Sequence, residues 1–545
     1  MAKTLTRIKI DKIWYGWVGL ARMSDGKRIL IKWGALPGSI VDLKIVKQKK
    51  DYVEAHITHI QHLDPTIVDG EIFCSHFLTL WNDKDPLSEI TYKIGCWGCK
   101  RQMLSYHNQL QLKENIVNDA FTKLKKYLPD LQILSIIWSP GEKFYRNKIE
   151  FSFGKYITKG PKDKLESTDV INSNTPNLSK QSENVVLSDR SCGFHKQGEF
   201  SKIVDIDTCF LISEQANVLY QHIKQLCKIS WLPAYDQMTH QGFFRHLVIR
   251  QWTNTNQFLI NLSVADNNLK EKNIHQWNEF LETLKQDTFL QEKVTTFVIT
   301  YNNGLGDIIR SQDGETKTFR GEWSIYEVLQ FKNTYIKDIK QQASSEPQQQ
   351  ETEHNWSIEV TFRISPFSFF QTNTLWAQQL FSQAMHMVGN VEWTILDLYC
   401  GTGSIGISFL KSGKGRQLVW IEIVEDAITD ARYNAKINGL EHKVTFLANP
   451  AEKAFIQYPE IKKTLENLGL VIIDPPRDGL HKNVVQMICD LKKESDFKLL
   501  YISCNPVTMV RDIELLIAGW FSIKEIQPVD MFPQTHHIEC IWVLH

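Results

Sequence analysis

Hydrophobic and polar positions alternate with a period of two through the first sixty residues. Runs at 8–10, 28–31, 41–46 and 52–55 read as short strands, and Gly16, Gly19, Gly26 and the pair Pro37-Gly38 punctuate them as turns. Short strands in a segment of this length predict a five-stranded barrel of OB type over residues 1–62. Barrels of that type hold oligonucleotides by stacking bases on aromatic side chains, and Trp14, Tyr15, Trp17 and Trp33 are the candidates. Filling the small barrel's own core is the commoner fate of any single one of them.

From about residue 390 the pattern turns into buried strands alternating with helices. An apolar run at 394–398 is followed by a glycine turn and a helical stretch at 405–410; the alternation continues through 418–422, 425–438, 444–446, 470–474 and 499–503. This predicts a doubly wound, mostly parallel sheet over residues 366–545, with ligands at the carboxyl ends of its strands. Residues 63–365 between the two regions contain strand-like runs at 148–153 and 246–250 and are expected to form an α+β domain. Two polar stretches interrupt them, 158–189 and the glutamine-rich 341–354. Neither can bury enough apolar surface to offset its ordering entropy, so both are expected to be flexible insertions.

A chain of 545 residues exceeds one core, and a multidomain α/β protein of about three units follows. The formal net charge is zero, so bulk charge gives no sign of a nucleic-acid partner. Residues 1–60, however, carry 12 Lys and Arg against 5 Asp and Glu, an excess of +7. No run approaches the roughly 18 apolar residues needed to span a bilayer, and the N-terminus lacks the apolar segment of a signal peptide. A cytoplasmic monomer without a membrane partner is expected. In a reducing compartment the ten cysteines read as metal ligands or nucleophiles before disulfides.

The chemistry-bearing residues lie at the ends of the predicted C-terminal strands. Asp397-x-x-x-Gly401-x-Gly403 lets backbone amides approach a nucleoside ligand, and Glu422 at the end of the next strand suits a ribose. A nicotinamide cofactor is the rival reading of the glycine turn. The acidic residue ahead of it and Asp474-Pro475-Pro476-Arg477 further on favour S-adenosylmethionine, although Asp-Pro-Pro is also simply a rigid turn. Arg477 stands where amine methyltransferases place an aromatic ring, which argues against methylation of an amine. Cys504 follows the last strand of the series. Its thiolate can add to C6 of a uracil and make C5 nucleophilic toward a sulfonium methyl group, and Glu539 is then the candidate base for the C5 proton. Cys96-x-x-Cys99 has metal-ligand spacing, for zinc or an iron–sulfur cluster.

These motifs, in order, resemble the RNA uracil-C5-methyltransferase family, and within it the branch acting on 23S ribosomal RNA with an N-terminal TRAM domain. The resemblance runs through Cys96-Trp97-Gly98-Cys99, Tyr106-x-x-Gln109-Leu110, Tyr145-Arg146-Asn147-Lys148-Ile149-Glu150-Phe151, Gly193-Phe194-His195, Val204-Asp205-Ile206 and Phe369-Phe370-Gln371-Thr372-Asn373, then the segments around Cys504 and Glu539. It implies a C-terminal S-adenosylmethionine-dependent domain in which Gln371, Tyr399, Gly401, Glu422 and Asp474 contact cofactor or target base. Cys504 is implied as nucleophile and Glu539 as base. It also implies a [4Fe–4S] cluster on Cys74, Cys96, Cys99 and Cys209, with Cys192 the spare ligand. The sequence departs from the family in the 21 residues between Cys74 and Cys96, in Trp97-Gly98, and in Asn449-Pro450, which leaves the adenine contact unassigned. RNA is the implied substrate, 23S ribosomal RNA ahead of transfer RNA. Arg146, Lys148 and Arg245 are candidates for its backbone. A ribosome-assembly protein with dispensable activity is the rival from another class.

Overall fold

Strand propensity at the N-terminus is realised as six short strands in one sheet. Their order is Thr4–Lys9, Ile40–Gln48, Tyr52–His62, Arg28–Lys32, Val18–Arg22, Lys12–Trp14. The chain is seen here in a computed structural model, which describes residues 4–32, 34–77, 96, 98–99, 101–158, 186–196, 199–267, 269–332, 357–458, 461–519 and 521–545. Trp33, the 341–354 stretch and residues 159–185 of the other polar stretch lie outside the described residues. The two edge strands of the N-terminal sheet, Thr4–Lys9 and Lys12–Trp14, are consecutive in the chain but not paired with each other. The expected closed barrel is therefore not found as a hydrogen-bonded ring. Alternate residues of the strands, among them Ile29, Ile31, Val41, Leu43, Val53 and Ala55, are buried in its core.

The middle of the chain forms a seven-stranded mixed sheet in the order Glu199–Asp205, Val186–Lys196, Lys148–Thr158, Phe244–Gln251, Phe258–Val264, Thr296–Tyr301, Glu315–Arg320. The polar stretch expected at 158–189 joins two paired strands, with Thr158 opposite Val186, so only 159–185 separates them. The glutamine-rich stretch likewise falls between the antiparallel strands Ile325–Lys332 and Ser357–Ile364. That hairpin shares its core (Leu329, Phe331, Val360, Phe362) with Trp376, Leu380 and Phe381 of the helix Thr374–Val388.

The C-terminal sheet has eight strands in the order Val444–Ala448, Gln417–Glu422, Thr394–Leu398, Leu468–Ile473, Lys498–Ser503, Glu539–Leu544, Ile523–Val529, Gln132–Ile133. The first five are parallel. Glu539–Leu544 runs antiparallel to both its neighbours, and Gln132–Ile133, from far upstream, extends the edge. The parallel strands read as unbroken apolar runs because helices cover both faces. The order of the strands reverses between Thr394–Leu398 and Leu468–Ile473, and the cleft there is where ligands bind in sheets of this type. Among the described residues no helix is long and apolar enough to cross a membrane.

Candidate active site

Two turns at the carboxyl edge of the C-terminal sheet carry the site. In the first, Tyr399, Gly401 and Gly403 take φ of +62°, +54° and +80°. A Cβ on Gly403 would lie 2.5 Å from the Trp420 ring, so both backbone and space require glycine. A Cβ on Gly401 would meet nothing within 4 Å, so conformation alone selects it. Asp397 is buried beneath this turn, its Oδ2 accepting from the Gly406 amide and from Trp420 Nε1, both at 3.2 Å. It fastens the turn to the sheet. Glu422 accepts from the Gly401 amide at 2.9 Å through Oε2, and from the Ile423 and Val424 amides at 2.8 and 2.9 Å through Oε1. A fixed carboxylate thus stands beside an open backbone cradle. Tyr399 is half-buried, and burial pushes its phenol up to about 12.

The second turn holds Cys504. Asn505 caps the helix Pro506–Ala518, its Oδ1 accepting from Val507 N at 3.1 Å, and Pro506 occupies the first turn, where its missing N–H costs nothing. Cys504 is therefore held between strand end and helix start, and it is the one cysteine of the ten that is not buried. Asn505 Nδ2 and Thr508 Oγ1 donate to the Arg477 carbonyl at 2.9 and 3.1 Å, which ties the Asp-Pro-Pro-Arg segment to this turn. Glu539, the first residue of its strand, is 5% exposed. Burial pushes the Cys504 thiol up to about 12, with Glu539 and Asp474 adding to the rise and Arg477 opposing it. Burial, reinforced by Asp474, holds Glu539 well above the usual carboxyl range, and burial lifts Asp474 to about 7. Two carboxyls and a guanidinium thus lie close enough to Cys504 at the sheet edge to act on its thiol.

The segment leading into Glu539 is clasped from upstream. Gln109, on the helix Tyr106–Phe121, exchanges two hydrogen bonds of 3.0 Å with Gln534, from its Nε2 to the side-chain oxygen and from the Gln534 amide to its own. Lys113 donates to Asp530 at 2.7 Å, and Tyr106 to the same carboxylate at 2.9 Å; Lys113 and Asp530 are fully buried. Tyr145 Oη donates to the Pro533 carbonyl at 2.9 Å. Asn147 binds the other loop, donating through Nδ2 to the Gln371 carbonyl at 3.0 Å and to Thr374 Oγ1 at 2.8 Å. Gln371 itself is buried, 7% exposed. Sequence reading assigned Tyr106, Gln109, Tyr145 and Asn147 no role beyond their motifs, and nothing in it marked Lys113 or Asp530; the hydrogen bonds show that these residues hold the loops of the site.

Between these loops and the central sheet opens a cleft of about 580 Å³, whose lining includes Arg146, Lys148, Phe194, Phe369, His536 and His537. Phe369 is 64% exposed there. Arg477 Nη2 lies 3.4 Å from the His537 ring, and burial with His536 and Arg477 alongside pulls His537 down to about 2, keeping it neutral. Arg146 and Lys148 thus face the cleft, whereas the third expected RNA contact, Arg245, does not. It is 1% exposed, donates to the carbonyls of Asn302, Gly304 and Gly306, and stacks on Tyr235, so it is a structural cation.

The four cysteines expected to carry a cluster lie in one neighbourhood. Burial raises Cys74 and Cys99, pushes Cys96 up to about 12 and Cys209 up to about 11, and neighbouring thiols add to the rises at Cys96, Cys99 and Cys209. Among the described residues, however, no set of three or more His, Cys, Asp or Glu converges closely enough to hold a metal ion. As placed, Cys74, Cys96, Cys99 and Cys209 do not form a ligand set, and the expected cluster is not supported. Cys192, the spare candidate, is acted on by Lys224 and Asp205 and by none of the four thiols.

A doubly wound sheet with a glycine cradle, a fixed acidic residue and an edge-mounted thiol has the parts of a methyltransferase of the nucleoside-cofactor class. Residues 253–545, more than half of the chain, match the model of the tRNA (uracil-5-)-methyltransferase family, and the protein belongs to that family. Methylation of RNA with S-adenosylmethionine is the activity that membership brings. The chain is 29% identical over 546 residues to an uncharacterized RNA methyltransferase of Caldanaerobacter subterraneus subsp. tengcongensis, covering 100% of this chain and 99% of that one. It is also 29% identical to one of Clostridium acetobutylicum, covering 100% and 98%. Among solved structures, the Pyrococcus abyssi tRNA (uracil-54, C5)-methyltransferase in complex with S-adenosyl-L-homocysteine shares the fold, with a TM-score of 0.63 and 22% identity over 99% of this chain and 100% of that one.

Proposed function

We propose that the protein methylates C5 of a specific uridine in RNA, with Cys504 as nucleophile and Glu539 as base. The observation that carries this is the meeting of Cys504, Glu539, Asp474 and Arg477 at the sheet edge beside the Gly401–Glu422 cradle. S-adenosylmethionine supplies the electrophilic methyl group and leaves as S-adenosylhomocysteine. Gly401 and Tyr399 bound its cradle, Glu422 takes its ribose hydroxyls, and Gln371 and Asp474 orient the uracil. The Cys504 thiolate adds to C6, forming an S–C6 bond and an enolate. C5 then accepts the methyl group, Glu539 takes the C5 proton, and the S–C6 bond breaks to restore the thiolate. Extruding the uridine from its stack costs about a few kcal/mol, least at an unpaired base.

In this reading residues 1–62 are a TRAM-like, OB-related module that grips RNA, 63–365 the central domain and 366–545 the methyltransferase domain, in a monomer. The resemblance of the TRAM-like module favours 23S ribosomal RNA. The family description and the archaeal enzyme favour transfer RNA as the second reading. A [4Fe–4S] cluster on Cys74, Cys96, Cys99 and Cys209, or zinc there, remains a proposal from sequence resemblance alone; counting iron, sulfide and zinc in anaerobically purified protein decides it. The main test incubates RNA from cells lacking the gene with labelled S-adenosylmethionine, followed by nucleoside mass spectrometry. Label as 5-methyluridine in one RNA class, lost in Cys504→Ala, is expected. Label in another nucleoside, or unaffected by Cys504→Ala, would overturn the mechanism. A Cys504→Ala strain with full cellular function would favour the assembly role instead.

A further inference from the structure

The N-terminal module reaches the nucleophile turn itself. Tyr15 opens the short 3-10 segment Tyr15–Trp17, in which Gly16 and Trp17 take φ of +75° and +61°. Its hydroxyl donates to the main-chain carbonyl of Cys504 at 3.0 Å. The segment is pinned on both sides. Trp17 is 2% exposed, with the Arg101 guanidinium 4.3 Å from its ring centre, and Lys12 Nζ lies 2.6 Å from Asp119 on the helix Tyr106–Phe121. A bulky residue such as Trp17 adopts positive φ only where its surroundings fix it. Cys504, Glu539 and Cys540 are all close enough to the phenol to raise its pKa, to which burial contributes most. Tyr15 therefore stands at the reacting end of the site, although it belongs to a module that sequence alone assigns to RNA binding.

We infer that Tyr15 is a positioning residue for Cys504, its hydroxyl holding the nucleophile turn so that the thiol faces the target base. The N-terminal module then completes the active site as well as gripping RNA. The inference rests on Cys504 being the nucleophile, as proposed above. The turn has anchors of its own: the Asn505 cap, its bond to the Arg477 carbonyl, and the Asn505 amide donating to Ser503 Oγ at 3.1 Å. None of these three holds the Cys504 carbonyl. Tyr15 supplies restraint on the cysteine's own carbonyl, from a different part of the chain.

The test compares Tyr15→Phe, which keeps the ring and loses only the hydroxyl, with wild type and with Lys12→Ala, which removes the exposed ion pair of the same module. Two readouts are taken. One is the rate at which iodoacetamide alkylates Cys504 in the RNA-free protein, followed by peptide mass spectrometry with the buried cysteines as internal controls. The other is kcat and KM for RNA methylation. Losing one hydrogen bond should speed Cys504 alkylation and lower kcat, each by about threefold to tenfold, with KM for RNA unchanged and a smaller change in Lys12→Ala, which removes only an exposed ion pair. Tyr15→Phe within roughly twofold of wild type in both readouts would overturn the inference. So would a raised KM at constant kcat, which marks an RNA contact, or a Lys12→Ala effect equal to that of Tyr15→Phe, which marks docking of the module. Should wild type transfer no methyl group to uridine, the proposed function fails, while the alkylation rates still decide the role of Tyr15.

Discussion

At the scale of single residues, burial holds the groups of the site in the protonation state opposite to the one the proposed mechanism uses. It raises the Cys504 thiol to about 12 and Glu539 well above the carboxyl range, whereas the proposed mechanism has the first attack as a thiolate and the second accept a proton. Both forms are gained as pH rises, so methyl transfer should still be climbing above neutrality, toward the Cys504 value of about 12. A rate profile that falls above neutrality would contradict the assignment. Glu539→Gln leaves addition and methylation possible but removes the acceptor for the C5 proton. Turnover should fall by about 10²-fold or more while a covalent RNA–protein adduct accumulates on denaturing gels. The glycines differ in a way that sequence does not show. Gly403→Ala meets the Trp420 ring as well as an unfavourable φ, whereas Gly401→Ala pays only the left-handed penalty, about 1–2 kcal/mol. Cofactor titration should find the Gly403 variant the weaker binder and the less stable protein.

At the scale of elements, the helix Tyr106–Phe121 governs a loop more than 400 residues away in the chain. Its Lys113 is wholly buried against Asp530, and removing one partner leaves a charge without compensation. Lys113→Ala should therefore destabilise the protein by about 3–5 kcal/mol, read as a shift in denaturant midpoint. Gln109→Ala removes no charge. It frees the Gln534 side chain and amide and the Arg101 and Leu104 carbonyls, and should lower kcat and cost about 1–3 kcal/mol of stability. The helix Pro506–Ala518 shows the opposite case, an element whose start was legible. Asn505-Pro506 after an apolar run is a cap followed by a first-turn proline, and the structure uses both in those roles.

At the scale of the whole molecule, a chain of zero formal net charge must bind RNA through local features. The cleft lined by Arg146, Lys148 and Phe369 is the candidate, between the central sheet and the methyltransferase loops. Arg146→Ala should weaken RNA binding and reduce the slope of log affinity against log salt by about 0.7–0.9, as expected for one lost phosphate contact. An unchanged slope would place the phosphate path elsewhere. Arg245→Ala, by contrast, should loosen the central sheet, because the buried guanidinium ties down the carbonyls of Asn302, Gly304 and Gly306.

The sequence by itself determined the parallel C-terminal sheet, the glycine turn, the acidic residue after the second strand, and Cys504 beyond the last parallel strand. These are local matters, in which apolar run length, turn chemistry and the order of strands suffice. Tertiary structure alone decided which distant groups meet. It buried Arg245 while leaving Arg146 and Lys148 on a cleft, and it left the N-terminal strands without a hydrogen-bonded closure. It clustered four cysteines without making them a ligand set. It also set Tyr15 against Cys504 across 489 residues of chain. A hydrogen bond between residues so far apart has no periodicity or spacing to announce it, because it arises from how the folded units pack and not from anything adjacent in the chain.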